Sequence, residues 1–519
     1  MTWLRARSTK TKNRISRKRS ENKHMENFTM LQFFEWYIPA DGSLWKHFKN
    51  EAKRIKSIGI DSVWLPPAHK GMAGPDSSGY DSYDLYDLGE FDQKGSVRTK
   101  YGTKQELLDA VAAGKQAGLQ VYADIVLNHM GGADEKELVT VKKVEPENRN
   151  EFISDSFQIE AYTKFNFPGR AGKYSDFIWD YQCFSGVDHN AKTQETAIYS
   201  IQNQYGDGWQ DVLDLENGNY DYLMLSDVEF RNPFVREELK RWGEWFYETV
   251  GMDGFRLDAI KHMDPGFYNE WLDHLRGKYQ KEFYTVGEYW APYDLPSMLA
   301  YIEASDKRVS LFDAPLQGNF FKASKENETY NLCCIFDDTL VQACPELAVT
   351  LVENHDTQPL QSLEQTVESW FRPLAYALIL LRKDGYPCIF YSDLYGSKYK
   401  DTGNDGQEHE ITLNRLDKLE VMLHARKHLS YGKQNDYFDN PNCIGWTREG
   451  DSEHEGSACA VVISNGEDAA KTMFVGEQHA GKVFVDFLGN VEDQVVIGED
   501  GHAEFKTKGR SVSIWAVKL

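Results

Sequence analysis

Arg256 and Asp258, in Gly254-Phe-Arg-Leu-Asp-Ala-Ile-Lys-His262, are the first pair in this chain whose types and spacing could do chemistry. Side chains on a strand alternate faces, so the guanidinium and the carboxylate share one face while Phe255 and Leu257 share the other. A guanidinium beside a carboxylate favours its ionised form, which suits a nucleophile. The same pair would serve equally well as an ion pair inside a core. The choice depends on what stands at the ends of the other apolar runs. Asn128 and His129 follow one run, Glu288 ends another, and His355 and Asp356 follow a third. If these runs are neighbouring strands, three carboxylates, two imidazoles, an amide and a guanidinium meet at one rim. No Ser or Cys nucleophile motif accompanies them, and carboxylates working alone point to acid/base chemistry on a glycosidic bond. One carboxylate must then be ionised and another must keep its proton near neutral pH. Asp258 suits the first role. Glu288, in Thr285-Val-Gly-Glu-Tyr-Trp290, has an apolar and aromatic setting that raises its pKa, and suits the second. Asp356 is left to hold sugar hydroxyls and help distort the ring.

The elements that must position these residues are read from periodicity. Short apolar runs at residues 29–34, 60–65, 119–127, 253–258, 282–287, 308–312, 348–353 and 388–391 predict eight strands. Helical spacing marks residues 45–58, 104–117, 234–250, 268–279, 371–381 and 418–428. About 100 residues after the third strand lack this alternation and are rich in Gly, Asp, Asn and aromatics; beyond residue 430 the texture is short strands and turns. The pattern predicts an α/β fold: a (β/α)₈ barrel with a large insertion after its third strand and a C-terminal antiparallel β-sandwich. The expected division is a disordered basic tail at 1–24, the first part of the barrel at 25–129, the insertion at 130–232, the second part of the barrel at 233–430 and the sandwich at 431–519. A doubly wound open sheet is the competing topology, but no Gly-x-Gly-x-x-Gly follows a strand.

The 519 residues carry a net charge of −23, which argues against nucleic acid and anionic membranes as partners. No run of 18 apolar residues predicts a membrane span. Seven cysteines, an odd number without Cys-x-x-Cys, predict reduced thiols and a cytoplasmic protein. The first 24 residues hold nine Lys or Arg and one Glu, without the apolar core of a secretory signal.

Four stretches carry a resemblance. Asp124-Ile-Val-Leu-Asn-His129, Gly254–His262, Gly287-Glu-Tyr-Trp290 and Glu353-Asn-His-Asp-Thr-Gln358 resemble the four sequence blocks of the α-amylase family of glycoside hydrolases, in the family's order. Gln32-Phe-Phe-Glu-Trp36, Tyr83-Asp-Leu-Tyr-Asp-Leu-Gly-Glu-Phe91 and Gly445-Trp-Thr-Arg-Glu-Gly450 extend it to the bacterial liquefying and cytoplasmic enzymes, from about residue 25 to the end. The resemblance implies a retaining endo-hydrolase of α-1,4-glucans. Asp258 would be the nucleophile, Glu288 the acid/base and Asp356 the transition-state stabiliser. His129, Arg256 and His355 would line the cleaved sugar's subsite and Tyr83 would stack on that sugar. Lys261, His262 and Trp290 would lie on the leaving-group side. It also implies one Ca²⁺, held by Asn128, Asp221, Asp227 and the carbonyl of His262. Ser185, Glu229 and Arg231 stand where the liquefying enzymes have aspartates, so their additional cations are not expected here. A monomer is expected. Transglycosylation within the same family, and a non-catalytic glucan-binding protein, are the competing functions.

Overall fold

The computed structural model describes residues 27–518; the expected basic tail at 1–24 lies outside them. Eight parallel strands close into a barrel. In chain order they are β1 (Met30–Gln32), β2 (Ser62–Leu65), β3 (Gln120–Ile125), β4 (Gly254–Leu257), β5 (Tyr284–Gly287), β6 (Ser310–Phe312), β7 (Ala348–Leu351) and β8 (Tyr386–Phe390). β1 pairs with both β2 and β8, which closes the ring. Each predicted strand is present; seven are shortened by a few residues at their ends, and the eighth begins two residues earlier than expected. Almost every barrel-strand residue is buried, because barrel interior and helix layer cover both faces. That double burial is why these strands read as apolar runs.

The helices pack their apolar stripes on the outside of the barrel. Leu44–Ser57 buries Leu44, Trp45, Phe48, Ala52 and Ile55. Thr103 and Glu106 form a reciprocal capping box at the start of Lys104–Gln116. Pro233–Val250 begins under the Asn232 side chain and ends at Gly251, whose φ of +74° a side chain would resist. Among helices of ten residues or more, two escape the periodicity reading, Leu295–Ala304 and Ala314–Glu326, each with Pro in its first turn.

Between β3 and β4 the chain builds an antiparallel sheet of seven strands, among them Glu135–Glu145, Phe157–Lys164, Phe184–Asn190 and Ser226–Val228. The short strand His129–Met130, which directly follows β3, pairs with Ser226–Val228, so the insertion is stitched to the barrel's rim. After the barrel, a six-stranded antiparallel sheet and a two-stranded ribbon, Ala469–Phe474 with His502–Thr507, enclose a second core that includes Met473, Phe484, Phe505 and Trp515. All seven cysteines are free thiols. Among the described residues no helix is long and apolar enough to cross a membrane.

Candidate active site

The carboxylates predicted at strand ends do meet. They line a cleft of about 1230 Å³ at the C-terminal rim of the barrel, which the insertion's loop at 213–224 also lines. Arg256, on β4 and 1% exposed, is the hub. Its Nη1 donates to Asp124 at 2.9 Å and to Asp258 at 2.6 Å, and its Nη2 donates to Glu288 at 2.9 Å. The register explains the first contact: Arg256 on β4 lies level with Asp124 on β3. Asp124 is also held by Trp64 Nε1 at 2.9 Å and Tyr80 Oη at 2.7 Å, so it is a fixed counter-charge rather than a reacting group.

Backbone geometry brings the two reacting carboxyls together. Ala259 takes a left-handed conformation, φ +51°, directly after Asp258. For a residue with a Cβ this costs free energy, and it is the kind of local strain found where a side chain must be aimed. The turn points the Ala259 N–H at Glu288 Oε2, 3.1 Å away. Gly287 precedes Glu288 because a Cβ there would meet Ile260 Cδ1 at 2.3 Å.

Burial raises the Glu288 pKa to about 7; Arg256 opposes the shift and the neighbouring Asp258 charge adds to it. Burial likewise raises Asp258 to about 6, against the pull of Arg256. The guanidinium therefore limits the rise at Asp258 without cancelling it. The two carboxyls act on each other: the Asp258 charge helps raise Glu288, and Glu288 helps hold Asp258 down. Asp356 is pushed well up by burial and by the charge of Glu288. Its neighbour His355, 3.4 Å from it through Nε2, is held neutral by burial and by Arg256. Gln32 Nε2 lies 3.1 Å from the His355 Nδ1 and fixes the ring.

The substrate residues inferred from sequence divide. His129, Lys261, His262, Trp290 and His355 all line the cleft. His129 Nε2 lies 2.7 Å from the Tyr80 carbonyl, and Lys261 donates to Glu216 at 2.6 Å. Tyr83 does not reach the cleft. It is 1% exposed, donates to Asp134 at 2.6 Å, and carries Lys94 Nζ over its ring at 3.9 Å. The reason is register: Tyr83 is the middle residue of the strand Ser82–Asp84, which turns it into the insertion's core beside Phe165 and Phe167. The ring in the cleft is Tyr80, stacked on His355 at 5.0 Å and 16° and on Trp36 at 5.8 Å and 10°. Three aromatic faces in line were not foreseen. The sequence Gly79-Tyr-Asp-Ser-Tyr-Asp84 offers two tyrosines three apart, and only the tertiary pairing of Ser82–Asp84 with Lys70–Gly71 separates them.

The four expected calcium ligands gather at the root of the insertion. Asp221 and Asp227 are each 1% exposed, and Asn128 Nδ2 is 3.5 Å from Asp227 Oδ1. His262 Nδ1 lies 2.7 Å from the Tyr220 carbonyl, one residue from Asp221. Asp227 is pushed well up by burial and then by the charge of Asp221; Asp221 is raised to about 7 by burial, with Glu229 adding to it. Two buried carboxylates that repel each other, with the Asn128 amide beside them, are oxygen donors of the kind a hard cation takes. Among the described residues no group of three or more His, Cys, Asp or Glu side chains is arranged to hold a metal. Arg231 donates to Glu229 through Nε at 2.7 Å and Nη2 at 2.6 Å, so that third carboxylate is already neutralised by the chain itself.

Comparison with known proteins matches this geometry. The family model for the α-amylase catalytic domain covers residues 50–436, and that for the α-amylase C-terminal domain covers residues 459–516. The chain is 48% identical to the cytoplasmic α-amylase of Escherichia coli (strain K12), over 95% of this chain and 99% of that one. It is also 48% identical to an α-amylase of Geobacillus stearothermophilus, over 94% and 87% of the two chains. It is 46% identical to the glucan 1,4-α-maltohexaosidase of Bacillus sp. (strain 707), over 95% and 93%. Among solved structures, an α-amylase of Geobacillus thermoleovorans complexed with acarbose shares the fold, with a TM-score of 0.62 at 18% identity over 95% of this chain and 98% of that one. The matched catalytic model spans most of the chain, and the high-identity relatives span nearly all of it: the chain belongs to the α-amylase family.

Proposed function

We propose that the protein hydrolyses internal α-1,4-glucosidic bonds of starch, glycogen or maltodextrins with retention of anomeric configuration. The observation that carries this reading is the placement of Asp258 and Glu288 on the two terminal nitrogens of one guanidinium. An inverting pair stands roughly 6.5–9.5 Å apart to admit a water between them; a retaining pair stands about 5–5.5 Å apart. Two carboxyls that share Nη1 and Nη2 of one guanidinium are held close together, which favours the second class.

The steps follow from the charges. Glu288, protonated near neutral pH, gives its proton to the glycosidic oxygen. Asp258 attacks the anomeric carbon, the C–O bond breaks, and the leaving chain departs with a new hydroxyl. The glucosyl unit is now an ester of Asp258. Glu288, now a carboxylate, takes a proton from water; the water attacks the same carbon, Asp258 is released, and Glu288 is again protonated. Arg256 stabilises Asp258 as leaving group in the second step. Asp356 and His355 are placed to hold the hydroxyls of the cleaved sugar, and Tyr80 offers that ring its aromatic face. Lys261, His262 and Trp290 stand beside the departing chain.

Calcium is the cation that fits the Asn128, Asp221, Asp227 and His262 carbonyl set. When bound it would supply structural charge compensation between barrel and insertion, outside the chemical steps. Seven free thiols and the likeness to a cytoplasmic relative support a cytoplasmic location.

Reducing-end release from soluble starch tests the assignment. Wild-type protein is expected to release ends and Glu288→Gln to release almost none. Equal signals from the two would overturn the reading. Products longer than a maltooligosaccharide substrate would replace hydrolysis with transfer.

A further inference from the structure

A second groove adjoins the catalytic cleft. It has a volume of about 590 Å³, and Pro292 and Tyr293 line both hollows, so this segment is the ridge between them. Tyr293 is 75% exposed, among the most exposed large apolar side chains described. An exposed tyrosine alone signifies nothing. This one is built into place. A Cβ on Gly318, in the helix Ala314–Glu326, would stand 3.3 Å from Pro292 and 3.5 Å from Tyr293 Cε1, so the ridge rests directly on helix backbone. Gln365 Nε2 donates to the Tyr293 hydroxyl at 3.2 Å, which leaves the hydroxyl its own proton to give to a ligand. The amide oxygen of Gln365, a residue that lines the cleft, is buried with no hydrogen-bond partner.

We propose that the glucan chain leaves the catalytic cleft over Tyr293 and runs on into this second groove, with the Tyr293 ring stacking on one of its sugars. The direction follows from the acid. Glu288 must lie beside the departing oxygen, and Tyr293 stands five residues later on the loop that Glu288 opens, so the platform serves the leaving-group side. The far groove has the two-sided character a sugar needs. Leu299 and Tyr330 offer apolar surface, while Asn319, Lys322 and Asn331 offer polar groups. Stacking on an exposed ring discriminates by chain length rather than by chemistry, because short oligosaccharides end before they reach the ridge.

This inference rests on the α-glucan reading, and its test separates the two. The variants Tyr293→Ala and Tyr293→Trp are compared with wild type by kcat/KM on long linear amylose and on maltotetraose. Tyr293→Ala is expected to lose about fivefold to tenfold on amylose, the size expected from exposing one ring face, and less than about twofold on maltotetraose. Tyr293→Trp is expected to keep the wild-type preference. An unchanged amylose rate in Tyr293→Ala, or equal losses on both substrates, overturns the inference while leaving the glucan reading intact. Wild-type protein inert on both substrates overturns the reading and the inference together.

Discussion

Two buried acidic clusters lie a short distance apart in this molecule, and they balance their charge in opposite ways. Around Arg256, one guanidinium serves Asp124, Asp258 and Glu288, and the cation is part of the chain. At the root of the insertion, Asp221 and Asp227 face each other; Ser185 donates to Asp227, Gln210 to Asp221, and the nearby Arg231 is committed to Glu229. Arg149 and Arg231 offset these buried carboxyls only in part, so the second cluster leaves work for an external cation. The difference teaches what each site is for. A guanidinium inside the catalytic cluster keeps two carboxyls close and lets their protons move. A metal at the second cluster would lock the insertion against the barrel, because Asp221 and Asp227 come from the insertion while Asn128 and His262 sit at the ends of β3 and β4.

Breaking the first cluster has the largest expected effect. Asp258→Asn keeps the contacts of Arg256 to Asp124 and Glu288, so the fold should survive, while turnover of starch should fall by roughly 10⁴–10⁶-fold. Near-normal turnover in a folded variant would refute the nucleophile. Breaking the second cluster should act on stability instead. Chelation with EDTA is expected to lower the melting temperature, because a cation at about 100 times its Kd stabilises by about 2.7 kcal/mol, a shift of several degrees. An unchanged melting temperature, with no calcium found by elemental analysis, would remove the site. Arg231→Ala sharpens the contrast: it leaves the buried Glu229 without its counter-charge, so the protein should lose roughly 3 kcal/mol of stability and respond more strongly to added calcium. A variant as stable as wild type, with an unaltered calcium response, would show that Arg231 does not do a cation's work.

The smallest of these effects is on pH dependence. Catalysis needs Asp258 ionised and Glu288 protonated. With the two carboxyls raised to about 6 and about 7, kcat/KM should rise as pH climbs through the first value and fall as it passes the second. The two groups titrate as a pair, so the limbs belong to the dyad. A profile still rising above pH 8 would contradict the acid.

Much of the barrel was legible because its strands are buried on both faces and so read as apolar runs. The catalytic carboxyls were legible because each stands at such a run's end. Tyr83 was misread for a reason of the same kind: whether it or Tyr80 enters the cleft depends on the pairing of a three-residue strand, which no periodicity records. The insertion was legible as a break in the pattern but not as a seven-stranded sheet. Its long strand Glu135–Glu145 buries Val139, Val141 and Val144 between charged residues, too few apolar positions to stand out. Tyr293, on the loop just before the helix Leu295–Ala304, was silent in sequence because its exposure and its place on the ridge are tertiary facts.

The central claim is that Asp258 and Glu288 act as a retaining pair. The anomeric form of the first product, read by proton NMR during brief hydrolysis of a maltooligosaccharide, tests it most directly. The account predicts that the newly freed reducing end appears first as the α-anomer and then mutarotates. A β-anomer appearing first would mean a single displacement by water, and would contradict the close pairing of the two carboxyls on Arg256 from which the mechanism is drawn.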